Sequence, residues 1–153
     1  MAEVALDDVD RQLLTLLQEN ARYTAVELAE RLGVSDNTVH NRLGSLEEAG
    51  IVTGYAASIP PTEVGLDFYF MFLCTARISD RGAVAERALE LAEIVEVTEL
   101  MTGQRNLHIK AVGSEHDDIT RIAQQLDDLE LEVNDEFLIR DEHEQALDFN
   151  AVA

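Results

Sequence analysis

An α+β fold in two domains is predicted by a change of hydrophobic periodicity along the 153-residue chain. Apolar residues recur at helical spacing in the first part, whereas extended apolar runs alternate with helical segments after residue 66. Both prolines stand side by side as Pro60-Pro61, and such a pair interrupts regular secondary structure. We therefore predict an N-terminal domain at 1–58, a linker at 59–66, a C-terminal domain at 67–140 and an acidic tail at 141–153.

The N-terminal domain is predicted to contain three helices, and the first two carry clear start signals. The first spans 6–18 with one apolar stripe, and Asp7 or Asp8 can accept hydrogen bonds from its first amides. The second begins with Thr24 and Glu27 at the spacing of a capping box. In that motif the hydroxyl accepts from an unpaired amide, and the carboxylate accepts from the amide of the cap residue.

A steep turn between the second and third helices is indicated by three residues. Ala29 permits close approach, Gly33 tolerates the left-handed backbone that ends a helix, and Val34 packs beneath the turn. Ser35 then caps the third helix, and the β-rich stretch 51–58 predicts a two-stranded wing or a strand that leads out of the domain. This winged helix-turn-helix arrangement leaves polar residues on the outer face of the third helix, namely Asp36, Asn37, Thr38, His40, Asn41, Arg42 and Ser45.

Short hydrogen-bonding side chains with one arginine are typical of helices that contact base edges and phosphates in DNA. We expect Arg42 to contact a phosphate or a guanine, and Asn37, His40 and Asn41 to reach base edges. Arg22, between the first two helices, is placed to contact the flanking DNA backbone. The alternative is a solvated face in an all-α bundle. The candidate DNA-binding residues are Arg22, Ser35, Asn37, Thr38, His40, Asn41, Arg42 and Ser45.

The C-terminal domain is predicted to begin with a long strand at 67–78 that is apolar on both faces. Phe70 and Phe72 alternate with Tyr69 and Met71 along it, so both faces must be buried. A domain of this size has helices enough for one face, so we expect the other face to meet a second subunit. The next segments are a helix at 80–93, a strand at 94–101, a turn at 102–106, a strand at 107–112, a helix capped by 114–117 and a strand within 131–139. This βαββαβ order is the ferredoxin-like arrangement.

The charge of the chain is strongly negative. Asp and Glu number 31 against 11 Lys and Arg, the net charge is -20, and Lys110 is the only lysine. DNA-binding domains are ordinarily basic, because neutralising phosphates supplies most of their non-specific affinity. Either the chain does not bind nucleic acid, or it acts where salt screens the repulsion, since about 1 M salt shortens the Debye length to roughly 3 Å. A lysine-poor acidic surface is typical of a salt-accumulating halophile.

Five short motifs occur in a fixed order in the N-terminal half: Leu6-Asp7-x-x-Asp10, Asn20-Ala21-Arg22, Leu32-Gly33-Val34-Ser35, Val39-x-x-Arg42 and Leu46-Glu47-x-x-Gly50-Ile51-Val52. With the βαββαβ half, they resemble the Lrp/AsnC family of feast/famine regulators over nearly the whole chain. The resemblance implies a transcriptional regulator of promoter DNA that dimerises through its sheets, often assembles into tetramers or octamers, and responds to a small-molecule effector, usually an amino acid. With the acidic composition, it implies a halophilic archaeal source. The chain departs from the family at Gly44-Ser45, where a lysine or arginine is usual.

The turn between the second and third strands of the C-terminal domain is where the resemblance places the effector, between subunits. Its residues are Thr102, Gly103, Gln104, Arg105 and Asn106, and the family pattern there is Gly-x-x-Asp. Asn106 replaces the acid and would hold a ligand's ammonium more weakly, whereas Arg105 suits a carboxylate. The alternative is a polar β-turn that binds no ligand.

Other classes of function have little support. We see no metal-spaced His/Cys set, no Gly-rich phosphate loop and no nucleophile with a base, so we predict no enzyme, no metal and no cofactor. Cys74 is expected to be a small buried hydrophobe, with a redox sensor as the alternative, and the acids at 141–144 a solvated tail rather than a metal site. The absence of a signal peptide and of a long apolar run predicts a cytoplasmic protein with no membrane partner. A sensing and oligomerisation protein without DNA binding is the second hypothesis.

Overall fold

The computed structural model describes residues 5–152 and divides the chain into two compact units. One unit contains the described residues up to Ala57 together with those from His143 onward, and the other is Ser58–Glu142. The first four residues of the predicted N-terminal domain and the last residue of the predicted tail lie outside the described residues. We call the two parts the helix-turn-helix unit and the sheet unit.

The helix-turn-helix unit is built around three helices and an apolar core. The helices are α1 (Asp8–Glu19), α2 (Ala25–Leu32) and α3 (Asp36–Glu48). Their inward side chains meet at the centre of the unit, as the helical spacing of the apolar residues predicts. The buried members of this core are Leu13, Leu14, Leu28, Ala29, Val39 and Leu46.

The ends of these helices follow the local signals in the sequence. Asp7 and Thr24 each complete a capping box at the start of α1 and α2. The Ser35 hydroxyl accepts a hydrogen bond from the Thr38 amide and so caps α3. Gly33 ends α2 with φ of 69°, a left-handed conformation that few other residues tolerate. Each of these predictions is confirmed.

The stretch after α3 does not form the predicted wing strand. Residues 51–60 pair with no other strand in the described part of the chain. Instead, the amides of Ile51 and Val52 donate to the Leu46 carbonyl at 2.9 and 3.2 Å, and the Tyr55 hydroxyl donates to the Glu47 carboxylate at 2.8 Å. A β-rich composition cannot make a strand by itself, because the ladder hydrogen bonds require a neighbouring strand.

The segment around the two prolines contains a short 3-10 helix at Pro61–Val64. Proline is tolerated at the first position of a helix because the amide it lacks would have no partner there. Gly65 ends this turn with φ of 84°. The predicted linker at 59–66 therefore has local structure of its own, although the prolines do prevent a longer element.

The sheet unit has the predicted βαββαβ order. Its elements are β1 (Phe68–Thr75), α4 (Arg81–Ala88), β2 (Ile94–Glu99), β3 (Leu107–Gly113), α5 (Asp118–Asp128) and β4 (Glu132–Ile139). The strands form one sheet in the order β2-β3-β1-β4, and every paired neighbour is antiparallel. The fold class is therefore α+β, as the sequence predicts.

One face of the sheet is fully buried. Phe70 pairs with Ala111 and Phe72 with Ile109 across β1 and β3, and all four side chains have no exposed area. Ile122 of α5 lies in the same core. Alternate residues of β1 point to this face, and the helices α4 and α5 cover it.

The opposite face, which we call the open face, is only partly covered. Tyr69, Met71 and Leu73 of β1 are half-buried on it, and Phe137, the β4 partner of Met71, is 49% exposed. Lys110 pairs with Met71 from β3 and lies on this face too. We expected both faces to be covered. Within one chain, only the face that packs against the helices is covered.

The helix α4 is shorter than the predicted 80–93. It ends at Ala88 because the amides of Glu90 and Leu91 bond to carbonyls three residues back, which tightens the backbone into a turn. The amide of Ile94 then bonds back to Leu91 as β2 begins. The sequence periodicity continues through this turn, so it could not indicate where the helix stops.

The helix α5 begins at Asp118, and residues 114–117 do not cap it as predicted. The Asp118 carboxylate instead accepts from the amides of Ser114 and Glu115 at 3.0 and 3.1 Å. The loop is tight because β3 ends directly beside it. A Cβ atom at Gly113 would lie 2.8 Å from the Asp118 carboxylate and 2.9 Å from the Phe70 ring.

The acidic C-terminal stretch is exposed over residues 141–148, as its charge predicts, but its end is structured. It ends in a short helix, α6 (Phe149–Val152), which packs against α1 within the helix-turn-helix unit. Phe149 is half-buried against the core of that unit. The charge pattern did not predict this contact, because a single aromatic side chain among many acidic ones makes it.

Candidate DNA-binding surface and effector turn

The outer face of α3 presents a group of exposed polar side chains. Asn37, His40, Asn41 and Ser45 are all exposed on a helix that Ser35 caps. Amide and imidazole groups can donate to and accept from base edges, so the face has the chemistry of direct base contact. The structure thus brings together four of the eight predicted DNA-binding residues on one solvent-facing surface.

Two other predicted residues, Ser35 and Thr38, have local structural contacts, and so does Ser45 of the exposed group. The Ser35 hydroxyl is hydrogen-bonded to the Thr38 hydroxyl at 2.8 Å as well as to its amide. The Ser45 hydroxyl donates to the Asn41 carbonyl at 3.0 Å, one turn back along α3. Ser35 and Thr38 therefore fix the start of the helix, and a DNA contact would have to share their hydroxyls.

Arg42 makes contacts within the protein that the sequence did not predict. Its guanidinium donates to the Asp7 carboxylate and, at 3.1 Å, to that of Asp10, so it joins α3 to the start of α1. Its side chain is only 32% exposed. Because both carboxylates bind one of its terminal nitrogens, Arg42 helps to position α3, and its contact with DNA stays a prediction. The Leu6-Asp7-x-x-Asp10 motif was the available sequence signal, but its partner lies more than 30 residues away.

The ion pair predicts an acid-dependent stability. The hydrogen bond from Arg42 lowers the pKa of Asp7 to about 2, from an ordinary value of 3.8. A depressed folded-state pKa gives stability that is present above the ordinary value and is lost as pH falls towards about 2. We expect Arg42→Gln to be less stable than the wild type at pH 7, and the difference to shrink below pH ~4.

Urea unfolding of both chains from pH 7 to pH 2 at low salt measures this difference. Arg22→Gln is the matched control, because it removes the same charge from a side chain that bonds to no carboxylate in the described part of the chain. A difference between Arg42→Gln and wild type that stays constant through pH 4 to 2 would contradict the assignment.

Most of the arginines in the helix-turn-helix unit are already in contact with protein groups. Arg31 lies 4.5 Å from the centre of the Tyr23 ring, and Arg11 is 3.8 Å from Asp8. Arg42 is held as described above. Arg22 is exposed, and its side chain makes no hydrogen bond or ion pair with any residue between 5 and 152. It is the arginine of this unit that is free for a phosphate.

The predicted effector turn lies between β2 and β3, and Asn106 within it is a core residue. Asn106 is completely buried, its Oδ1 accepts from the Ala76 amide at 2.8 Å, and its Nδ2 donates to the Ala76 carbonyl at 2.9 Å. The side chain thus replaces a strand partner at the end of β1. The expectation that Asn106 meets a ligand is corrected, because both of its polar groups face the backbone.

Arg105 has an unusual backbone and an acidic partner. Its φ is 47°, its amide donates to the Thr75 hydroxyl at 2.8 Å, and its guanidinium bonds to Asp135 at 2.8 Å. A β-bulge in β4 between the partners of Leu73 and Cys74 shifts the register here. Asp135 was absent from the sequence prediction. A ligand carboxylate would compete with it for Arg105.

The remaining turn residues Thr102, Gly103 and Gln104 are exposed. They form the part of the turn that a ligand or a second chain can reach.

Other predicted features concern chemistry away from these surfaces. Cys74 is fully buried, and burial raises the pKa of its thiol to about 12, so it has the character of a small hydrophobe. Among residues 5–152, no three His, Cys, Asp or Glu side chains cluster as metal ligands. Within the same range no helix is long and apolar enough to cross a bilayer.

Comparison with known proteins agrees with this arrangement. A family model described as winged helix-turn-helix DNA-binding matches residues 6–53. The chain is 31% identical over 113 residues to the regulatory protein AsnC of Escherichia coli strain K12, covering 73% of this chain and 74% of AsnC. It is 37% identical over 92 residues to the HTH-type transcriptional regulator Ptr1 of Methanocaldococcus jannaschii, covering 60% and 62%.

A solved structure extends the similarity to the whole fold. The complex of a Neisseria meningitidis transcriptional regulator with L-Met superimposes with a TM-score of 0.83 at 27% identity, covering 97% of this chain and 100% of the other. The fold, the α3 surface and these relatives define a DNA-binding transcriptional regulator, and not an enzyme. The chain belongs to the Lrp/AsnC family.

Proposed function

We propose that the protein is a dimeric transcriptional regulator whose DNA affinity is controlled by a small molecule, with an amino acid as the effector. The observation that carries the DNA-contact part is the polar face of α3, where Asn37, His40 and Asn41 are exposed. Arg42 positions this helix through Asp7 and Asp10. Arg22 contacts a phosphate beside the major groove.

The open face of the sheet is the dimer surface in this proposal. Tyr69, Met71, Leu73 and Phe137 form an apolar patch that no helix of the sheet unit covers. Apolar patches of this kind are the usual core of subunit interfaces. Two weak DNA-binding units joined in this way bind one operator more tightly than either does alone.

Control by an amino acid is supported by two observations of different kinds. The solved relative from Neisseria meningitidis is a complex with L-Met. In this chain, the exposed residues Thr102, Gly103 and Gln104 lie beside Arg105. The Arg105 side chain is 55% exposed, and its guanidinium can exchange Asp135 for a ligand carboxylate.

The net charge predicts an unusual salt dependence. The described part of the helix-turn-helix unit up to Ala57 has nine Asp and Glu against four Arg, a balance of -5, so long-range forces oppose DNA at low salt. We expect affinity for the protein's own promoter to hold or rise between low and multimolar KCl. A basic protein would instead lose affinity steeply through counterion release.

Fluorescence anisotropy of labelled promoter DNA across this range, with and without single amino acids, tests the proposal. A steep loss of affinity with salt contradicts adaptation to high salt. DNA binding that no amino acid alters contradicts effector control. Absence of binding at every salt concentration would favour a sensing protein without DNA binding. Sedimentation of the same samples measures whether the chain is dimeric.

A further inference from the structure

The C-terminal segment 143–152 makes specific contacts with α1. The backbone amide of Leu147 donates to the Oε1 atom of Gln18 at 2.8 Å, 129 residues away in sequence. Two residues later, Phe149 packs against the core of the helix-turn-helix unit and begins α6. Neither contact is expected of an acidic tail that is fully solvated.

A groove on the helix-turn-helix unit adjoins this segment. The groove encloses a volume of about 350 Å³, and Phe149 forms part of its wall. Most of its side chains are apolar. The other lining residues used here are Leu14, Leu17, Ala21, Val52 and Tyr55.

The beginning of the same segment is fixed in the sheet unit. The Glu142 carboxylate lies 2.6 Å from the ammonium of Lys110, the only lysine of the chain. The Lys110 side chain is only 13% exposed on the open face, and Glu96 is its second partner at 3.5 Å. Glu142 is therefore held immediately before the point at which the chain returns to the helix-turn-helix unit.

We propose that the C-terminal segment is an intramolecular ligand of the helix-turn-helix unit, seated beside α1 by Phe149 and by the Leu147–Gln18 hydrogen bond. The chain then joins its two units twice, once after Ala57 and once after Glu142. The segment carries Glu144 and Asp148 towards a unit that is itself negative. Apolar contact and a hydrogen bond must outweigh this repulsion, so salt strengthens the docking.

Hydrogen–deuterium exchange on the full-length chain tests the docking. In Phe149→Ala, we expect the Leu147 amide and the segment 143–152 to exchange about tenfold faster or more, because their attachment to α1 is lost. Val152→Ala is the matched control, since Val152 belongs to the same helix but is 64% exposed. Equal exchange in the wild type and Phe149→Ala overturns the proposal.

A cross-linking experiment provides a second test that does not depend on removing a core side chain. Gln18→Cys combined with Leu147→Cys should be joined within one chain by a short linker that reacts with two thiols, because the Leu147 amide lies 2.8 Å from the Gln18 side chain. His40→Cys with Leu147→Cys is the control pair and should not be joined, since His40 is exposed on α3. Equal cross-linking of both pairs, or a product in which the linker joins two chains, overturns intramolecular docking. Cys74 is fully buried and does not interfere.

Discussion

Asn41→Asp should abolish most specific DNA binding while leaving the fold intact. Asn41 is exposed on the outer face of α3, so the substitution removes an amide donor and places a negative charge against DNA. A good side-chain contact with a base is worth about 1–3 kcal/mol. Charge repulsion adds to that loss, and we expect affinity to fall about tenfold to several hundredfold.

Asn41 is a sharper target than Asn37, because Asn37 lies in the first turn of α3, where a negative charge is favoured by the helix dipole. Gln12→Glu is the matched control, since it adds the same charge to an exposed position of α1. Anisotropy with promoter DNA measures affinity, and circular dichroism measures folding. If Gln12→Glu weakens binding as much as Asn41→Asp, net charge rather than the α3 surface governs recognition.

Asn106→Ala should cause a large loss of stability in the sheet unit. The substitution leaves the amide and the carbonyl of Ala76 without partners inside the core. Each buried unpaired group costs about 1–3 kcal/mol, so we expect a loss of about 2–5 kcal/mol. For a unit of this size, the unfolding midpoint then falls by about 10 °C or more.

Thr102→Ala is the control for this prediction, because Thr102 belongs to the same turn but is exposed. Thermal unfolding followed by circular dichroism compares the two variants with the wild type. A midpoint for Asn106→Ala within a degree or two of the control would mean that water satisfies the amide and the carbonyl of Ala76. The structural role that we assign to Asn106 would then be wrong.

The sequence predicted the elements whose causes are local. Helix caps depend on residues three positions apart, so Asp7, Thr24 and Ser35 could be assigned from the printed sequence alone. The alternation along β1 likewise predicted the buried face that Phe70 and Phe72 form. The order of strands and helices followed from the changes in hydrophobic period.

Features that depend on distant partners could not be predicted in this way. Arg42 has the chemistry of a DNA contact, and only the position of α1 reveals that Asp7 and Asp10 bind it. Asn106 fits a polar turn by composition, and its burial follows from where Ala76 lies. A segment rich in acids is expected to be solvated, and one phenylalanine in it does not change that pattern. The packing of Phe149 against α1 could therefore not be predicted from the sequence.

The separation between the residues that hold α3 and those that face outward has a consequence for engineering. Ser35, Thr38 and Arg42 fix the start and the position of the helix through bonds to the protein itself. Asn37, His40 and Asn41 contribute no side-chain hydrogen bond to the protein in the part of the chain that the structure describes. The two sets of residues can therefore be varied independently. Libraries restricted to the outward positions would yield regulators with new operator preferences on an unchanged scaffold.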